Sequence, residues 1–390
     1  MIYDYAFVGA GAAGLLVLRT LLDDPYFADK RILVLEKDRK DTNDRTWCFW
    51  EPGPGAQDEF LDKTWSQIEI GSLKQRIQTP IAPYTYKMVR SKGFYQGMAL
   101  RMAEAPNLER IQEEVQDLQE NQEEVVLKCA GQEFRAKQVF DSRFDYRTLL
   151  DQKRYPVLQQ HFLGWFVKVE EDVFEPDQAT FMDFQIPQKG NTRFMYVLPL
   201  SKREALLEYT LFSAEPLKKE EYEAGIEEYL RDKLKVKKYQ VVEKESGNIP
   251  MTCYPLWEKT TKRIIPIGMA GGWAKASTGY TFKKSERKAR SLAAFLKTGK
   301  PLHQFARLDR FWFYDLLLLD ILWRRNELGA GIFGRLFERR APQLIFKFLD
   351  ERTNFWEEIQ VMSSSNAWLF LGALRRNLYR TVHQVFSKSS

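Results

Sequence analysis

A glycine-rich junction near the N-terminus constrains this chain more than any other feature. Residues 5–9 are a short apolar run that passes directly into Gly9-Ala10-Gly11-Ala12-Ala13-Gly14. A helical pattern continues to Leu22, and a second apolar run, Arg31-Ile-Leu-Val-Leu-Glu36, follows. Strand, glycine loop, helix and strand within about 30 residues make a βαβ unit. Each glycine then has a mechanical role. Gly9 makes the turn, Gly11 admits a pyrophosphate to the backbone, and Gly14 lets helix and strand pack closely. Ala10 and Ala13 complete the loop backbone, and the helix N-terminus offers unpaired N–H groups to phosphate. Glu36, with Lys37 beside it, ends the second strand where a carboxylate accepts from a ribose hydroxyl. An acid rather than an arginine at that place disfavours a 2′-phosphate. The pattern predicts an adenine-dinucleotide site; by itself it leaves FAD and NAD open.

The rest of the chain suggests how this unit is embedded. Residues 111–118, 125–129 and 134–140 read as three short strands joined by polar turns, an antiparallel meander. A nucleotide domain interrupted in this way is the organisation of FAD proteins of the glutathione-reductase type. Between residues 162 and 249 the texture is strand-rich, with runs at 162–169, 179–184, 193–199 and 205–212 and an amphipathic helix at 220–233. A second strand–glycine–helix junction appears late, where Ile264-Ile-Pro-Ile-Gly268 leads through Gly271 and Gly272 to a helix from about Thr281. The expected fold is therefore α/β: a Rossmann-like FAD-binding domain made of residues 1–160 and 255–300, a mainly antiparallel sheet cap over 161–254, and a helical region over 301–390. In that last region residues 305–323 give the clearest amphipathic helix, with Asp315 lying inside its apolar arc.

Composition narrows the function classes. The chain has 59 Lys and Arg against 53 Asp and Glu, with no block of like charge, so a nucleic-acid partner is not expected. Three scattered cysteines and three scattered histidines offer neither a disulfide framework nor a zinc site and point to a reduced, cytoplasmic setting. The N-terminal residues lack the charge and cleavage pattern of a signal peptide. Neither of the longest charge-free stretches, 5–18 and 359–374, reaches the roughly 20 apolar residues that a spanning helix needs.

Several segments together resemble the FAD-dependent lycopene cyclases, and their bacterial branch in particular. The resemblance rests on the N-terminal glycine loop, on Asp44-Arg-Thr-Trp-Cys-Phe-Trp50, and on Phe162-Leu-Gly-Trp165 with Phe181-Met-Asp-Phe184. It continues through Phe194-Met-Tyr-Val-Leu-Pro-Leu200, Leu207-Glu-Tyr-Thr-Leu-Phe-Ser213, Gly247-Asn-Ile-Pro250 and Gly271-Gly-Trp-Ala-Lys-Ala-Ser-Thr-Gly-Tyr-Thr-Phe282 to Phe348-Leu-Asp-Glu-Arg-Thr353. Plant members carry a double-Glu Phe-Leu-Glu-Glu-Thr signature; this chain reads Leu206-Leu-Glu-Tyr-Thr210 and has one carboxylate there.

The resemblance implies a lycopene β-cyclase, an isomerising enzyme that closes the linear ends of an apolar carotene into rings without net redox change. It implies FAD acting in its reduced form and NAD(P)H as the reductant. Protonating an alkene in a dry pocket calls for a carboxyl group whose pKa burial has raised. Glu208, mid-strand among apolar residues and sharing a face with Leu206, Thr210 and Phe212, is the candidate acid. Asp183 is a second candidate carboxylate that would support it, a strand-end role being its alternative. Arg45 and Thr46 resemble the family's flavin-phosphate contacts. Gly268, Gly271, Gly272, Thr278 and Gly279 resemble the loop that approaches the isoalloxazine and pyrophosphate. A flavin monooxygenase or prenyl-chain reductase on the same fold is the alternative. Lycopene dissolves in bilayers, so peripheral attachment to the inner face of the cell membrane is expected, with residues 331–348 and 368–386 as the contact segments. Asp315 argues that the 305–323 helix packs on protein instead.

Overall fold

The computed structural model describes residues 1–305 and 309–387. Its first sheet forms around the glycine junction. Strands Leu108–Ile111, Ile32–Leu35, Tyr3–Val8 and Glu133–Asp141 lie side by side in parallel, and Ile264–Pro266 adds in parallel beyond Glu133–Asp141. Val125–Lys128 and Asp117–Glu120 continue from Glu133–Asp141 as an antiparallel meander. These central strands are buried on both sides, which is why they read as unbroken apolar runs. The meander differs from expectation at its start. Residues 111–118 are not one strand: Leu108–Ile111 is an edge of the parallel sheet, and the meander begins only at Asp117. Helices Ala12–Leu22, Ser91–Glu104 and Phe282–Leu296 supply the covering layer, with Leu15, Phe94 and Leu292 in one apolar core.

The second sheet is the cap, ordered Tyr239–Thr252, Val157–Val169, Glu204–Ser213, Thr192–Pro199, Gln178–Asp183, Gln67–Gly71 and Arg76–Pro80. Three of its strands stand apart from the expectation. The hairpin of Gln67–Gly71 and Arg76–Pro80 comes from the N-terminal stretch and completes the far edge through parallel pairing with Gln178–Asp183. Tyr239–Thr252 alternates half-buried and exposed residues over most of its length, so its charged, glycine- and proline-containing sequence hides a strand that is wet on one side. A three-stranded sheet of Thr46–Pro52, Tyr84–Arg90 and Lys63–Trp65 lies between the two large ones.

One face of the cap packs on helix Lys219–Glu228 and its π-helical extension Tyr229–Lys233. The other packs on the helical region, where Phe333, Phe337, Ile345 and Phe346 interleave with Phe181, Phe184, Phe194 and Phe212. Burial of each such ring contributes about 1.5–3 kcal/mol. The apolar side of residues 331–348 is therefore taken up inside the protein, which removes that segment as a membrane contact.

The 305–323 helix is observed as Arg310–Arg324, started by Asp309, whose side chain accepts from the Trp312 N–H at 3.0 Å; residues 306–308 lie outside the described residues. Asp320 is fully buried, because helix Ala367–Ser387 covers that face of the helix and brings Arg376 to it at 2.6 Å. Asp315 has the protein partner its position demanded. Lys275 donates to both its oxygens, at 2.9 and 3.1 Å, and the Ser277 hydroxyl donates at 2.7 Å. Glu351, held at φ +61°, meets the same lysine at 3.4 Å. This cluster ties the helical region to the loop that follows the second glycine junction. Lys275→Met leaves a buried carboxylate uncompensated and should lower unfolding free energy by about 3–5 kcal/mol. The double variant with Asp315→Leu should recover most of that in urea titrations followed by tryptophan fluorescence. A single variant as stable as the parent contradicts this account.

Candidate functional site

Each glycine of the first junction has a different surrounding. Gly9 has φ +93°, and a Cβ there would fall 2.1 Å from Ser142 Oγ. A Cβ on Gly14 would fall 2.6 Å from the Gly9 carbonyl oxygen, so the helix can lie against the strand only as glycine. At Gly11 a Cβ would meet no protein atom within 4 Å; the residue borders open space. The helix beginning at Ala12 has no side-chain cap and no acid in its first turn, so its N–H groups and positive dipole end remain available to an anion. Glu36 is buried beneath the loop, accepting from the Ala10 N–H at 2.5 Å and the Asp38 N–H at 2.9 Å.

From this loop a cavity of about 350 Å³ runs into the interface between the two large sheets. Gly11 and Gly14 form one end; Arg45, Thr46, Gly268, Thr278 and Gly279 line its length, with Ala13 beside Gly268. Two buried polar atoms on its wall, Gln160 Oε1 and Thr278 Oγ1, have no hydrogen-bond partner in the protein. Buried polar atoms of that kind are rare unless something else satisfies them. Three expected contacts lie elsewhere. Lys37 is exposed and pairs with Glu114 at 3.1 Å; the lysine on the cavity wall is Lys40, near Asp44 at 3.5 Å. Gly271 and Gly272 shape the turn behind the wall: a Cβ on Gly271 would fall 2.2 Å from the Pro266 carbonyl oxygen, and Gly272 caps the turn at φ +69°. Backbone sterics, not ligand approach, account for both.

Glu208 sits at the inner end of the cavity. Its strand, Glu204–Ser213, pairs on both sides, with Gly164 opposite Glu208 in one neighbour and Tyr196 opposite it in the other. Burial, with the nearby Glu245 carboxylate adding to it, pushes the Glu208 carboxyl up to about 8, against a single opposing hydrogen bond from Thr210 at 2.7 Å. Glu208 is thus a neutral acid at pH 7. Around it lie the Tyr196 and Tyr280 hydroxyls, 3.2 Å apart, and Tyr86, with the rings of Trp50 and Phe181 packed behind Tyr280 and Tyr196. Asp183 does not belong here. It faces the opposite side of the cap sheet, buried, where Arg76 at 2.6 Å, Tyr229 at 2.8 Å and the Gln185 N–H at 2.8 Å all donate to it. A carboxylate so fully partnered secures the sheet edge. The acid that neighbours Glu208 in the cavity is Glu245, on strand Tyr239–Thr252. The only sequence signal for it is that strand's alternation.

A family model described as lycopene cyclase protein matches residues 4–372. The chain belongs to that family. Among curated relatives it is 24% identical to the lycopene beta-cyclase of Pseudescherichia vulneris over 92% of this chain and 93% of that one. It is 27% identical to the chloroplastic lycopene beta cyclase of an Oncidium hybrid cultivar over 75% of this chain and 62% of the orchid protein. Solved structures share the fold at lower identity. A flavoprotein/dehydrogenase from Cytophaga hutchinsonii superposes with TM-score 0.62 at 13% identity, covering 94% of this chain and all of that one. A geranylgeranyl bacteriochlorophyll reductase-like protein from Thermoplasma acidophilum gives 0.58 at 12%, covering 99% of both. The architecture is that of flavin-dependent enzymes.

A raised carboxyl pKa has a signature in stability. The folded state keeps the Glu208 proton to about pH 8 while the unfolded chain releases it near 4.3, so this group's penalty on the folded state is absent below about pH 4 and grows until pH 8. Glu208→Gln, which cannot ionise, should gain stability relative to the parent between pH 5 and pH 8, by on the order of a few kcal/mol. Denaturant titrations of both proteins at the two pH values check this; a difference independent of pH contradicts it.

Proposed function

We propose that this protein is a lycopene β-cyclase that closes the linear ends of lycopene to β-rings, by way of γ-carotene to β-carotene, with FAD bound in its reduced form and NAD(P)H as the reductant. The observation that carries the reading is the buried Glu208 carboxyl, its pKa pushed up to about 8 by that burial, at one end of a cavity whose other end is a dinucleotide-type glycine loop. The residues present fit the cofactor: open space at Gly11, two unpartnered polar atoms on the wall, and Lys40 and Arg45 alongside. The loop backbone from Ala10 to Gly14 would hold the pyrophosphate, and Glu36 is placed beneath that loop at the ribose end. Reduced FAD would supply negative charge beside a developing cation.

The protein's own part is acid–base chemistry. Glu208 donates its proton to the terminal double bond of the carotene, leaving a tertiary cation. The neighbouring double bond attacks, a carbon–carbon bond forms, and the ring gives up a proton to the Glu208 carboxylate, which regenerates the acid. Substrate and product are isomers, and no reductant is used up per ring. The substrate has no polar atom, so binding falls to the apolar wall, and the faces of Tyr86, Tyr196 and Tyr280 favour positive charge beside them. Expression in a lycopene-accumulating host should yield β-ringed pigment. Glu208→Gln should keep its flavin and lose at least about 100-fold in cyclisation. Gly11→Val should fold but purify without flavin. Product formed one-for-one with oxygen or NAD(P)H consumption would identify a monooxygenase or prenyl-chain reductase instead.

We further propose that the enzyme meets its substrate at the cytoplasmic membrane surface. No helix among the described residues is long and apolar enough to cross a membrane. Residues 368–378 support this reading: Trp368 (81% exposed), Leu371 and Leu378 stand on one face of helix Ala367–Ser387, with Arg375 between. Phe355, Trp356 (72% exposed) and Ile359 add to the exposed apolar surface from the preceding helix. Aromatic residues with flanking arginine suit the interface plane. The protein should float with anionic liposomes at low salt, less at high salt, and Trp356→Ser/Trp368→Ser should stay in solution. Flotation unaffected by the double substitution contradicts this surface.

A further inference from the structure

Three adjacent strands of the cap place two acids on either side of one glycine. In register, Gly164 pairs with Glu208 on one neighbour and with Glu245 on the other, and the only shift in these pairings lies beyond, between Phe166 and Val167. Cross-strand partners present the same sheet face, and both acids line the cavity. A Cβ on Gly164 would stand 3.6 Å from Glu208 Cγ and 3.2 Å from Glu245 Cγ, so the two Cγ atoms lie within about 7 Å of each other. Any larger residue at 164 would fill the gap over which the carboxyl groups face one another.

Two carboxyl groups this close in a dry cavity do not both ionise readily. Their partners decide which one carries the charge. Burial raises the Glu245 carboxyl as well, with Glu243 adding to it, but Glu245 accepts from the Thr46 hydroxyl at 2.6 Å and has the Arg90 and Arg45 guanidinium groups nearby, all of which favour its ionised form. Glu208 has the Thr210 hydroxyl alone. The other titratable groups turned toward them contribute no charge: burial holds the Cys48 thiol and the Tyr86, Tyr196 and Tyr280 phenols neutral. Glu243 is tied to Arg90 at 2.5 Å.

We propose that Glu245 is the positioning residue of this site: its carboxylate, seated across the Gly164 gap, keeps Glu208 in the proton-bearing form that the reaction uses. The inference rests on the reading of Glu208 as the proton donor. It supplies from a separate strand, through space, a second carboxylate that the local Leu206-Leu-Glu-Tyr-Thr210 sequence lacks.

The test is the pH dependence of kcat/KM for cyclisation by flavin-loaded enzyme in lycopene-containing liposomes. Activity should fall on the alkaline side as Glu208 loses its proton. Glu245→Gln and Glu245→Ala remove the neighbouring charge and should move that alkaline limb down by about one pH unit or more, whereas Glu245→Asp should leave it near its original place. A structural role through Thr46 alone would lower activity without moving the limb. An unmoved limb in whichever uncharged variant folds overturns the proposal. A Glu208→Gln enzyme that still cyclises overturns the underlying reading instead.

Discussion

Desolvation of one carboxyl group is the constraint on which the rest of this molecule depends. Glu208 lines a cavity walled on one side by the cap sheet and on the other by the glycine junction and the loop at Thr278–Gly279. Water would stabilise its ionised form and abolish its use as an acid at neutral pH. Keeping water out takes more than one element. The paired neighbours of Glu204–Ser213 satisfy its backbone, the phenylalanine-rich core shared with the helical region closes the space beyond Tyr196, and the Lys275–Asp315 pair fixes that region to the loop. The same enclosure suits a substrate without polar atoms, which apolar contact and shape alone can hold.

Charge placement follows from that enclosure. The polar end of the cavity carries Lys40, Arg45 and a free helix N-terminus, all suited to phosphate; the inner end carries hydroxyls, rings and two acids. Such separation lets one continuous space take a polyanionic cofactor from one direction and a hydrocarbon from the other. It also explains why the acidic pair can persist: the nearest guanidinium groups sit beside Glu245, on the cofactor side, and leave Glu208 without a counter-ion.

What was legible in the sequence is what local rules control. The glycine spacing specified the βαβ unit because Gly9 answers to its own positive φ and Gly14 to the Gly9 carbonyl within that unit, and Glu208 stood out because an acid mid-strand among leucines needs a reason. The failures share a different cause. Lys37 and Lys40 are three residues apart in the same turn region, and only the fold shows which one faces the cavity. Asp183 looked like a supporting acid until the edge hairpin contributed Arg76 from over 100 residues away. Gly271 resembled a ligand-approach glycine, yet it answers to the Pro266 carbonyl. Glu245 lay in a strand whose exposed face carries charge, so neither composition nor apolar runs marked it. Partners distant in sequence decided each of these.

The central claim is that Glu208 holds a proton at neutral pH. Infrared difference spectroscopy of the parent against Glu208→Gln tests this directly, through the carbonyl stretch of a protonated carboxylic acid. The account predicts that the parent shows this band at pH 7, that it is missing from the variant, and that it disappears on titration with a midpoint of about 8. A difference spectrum showing only carboxylate bands at pH 7 would contradict it.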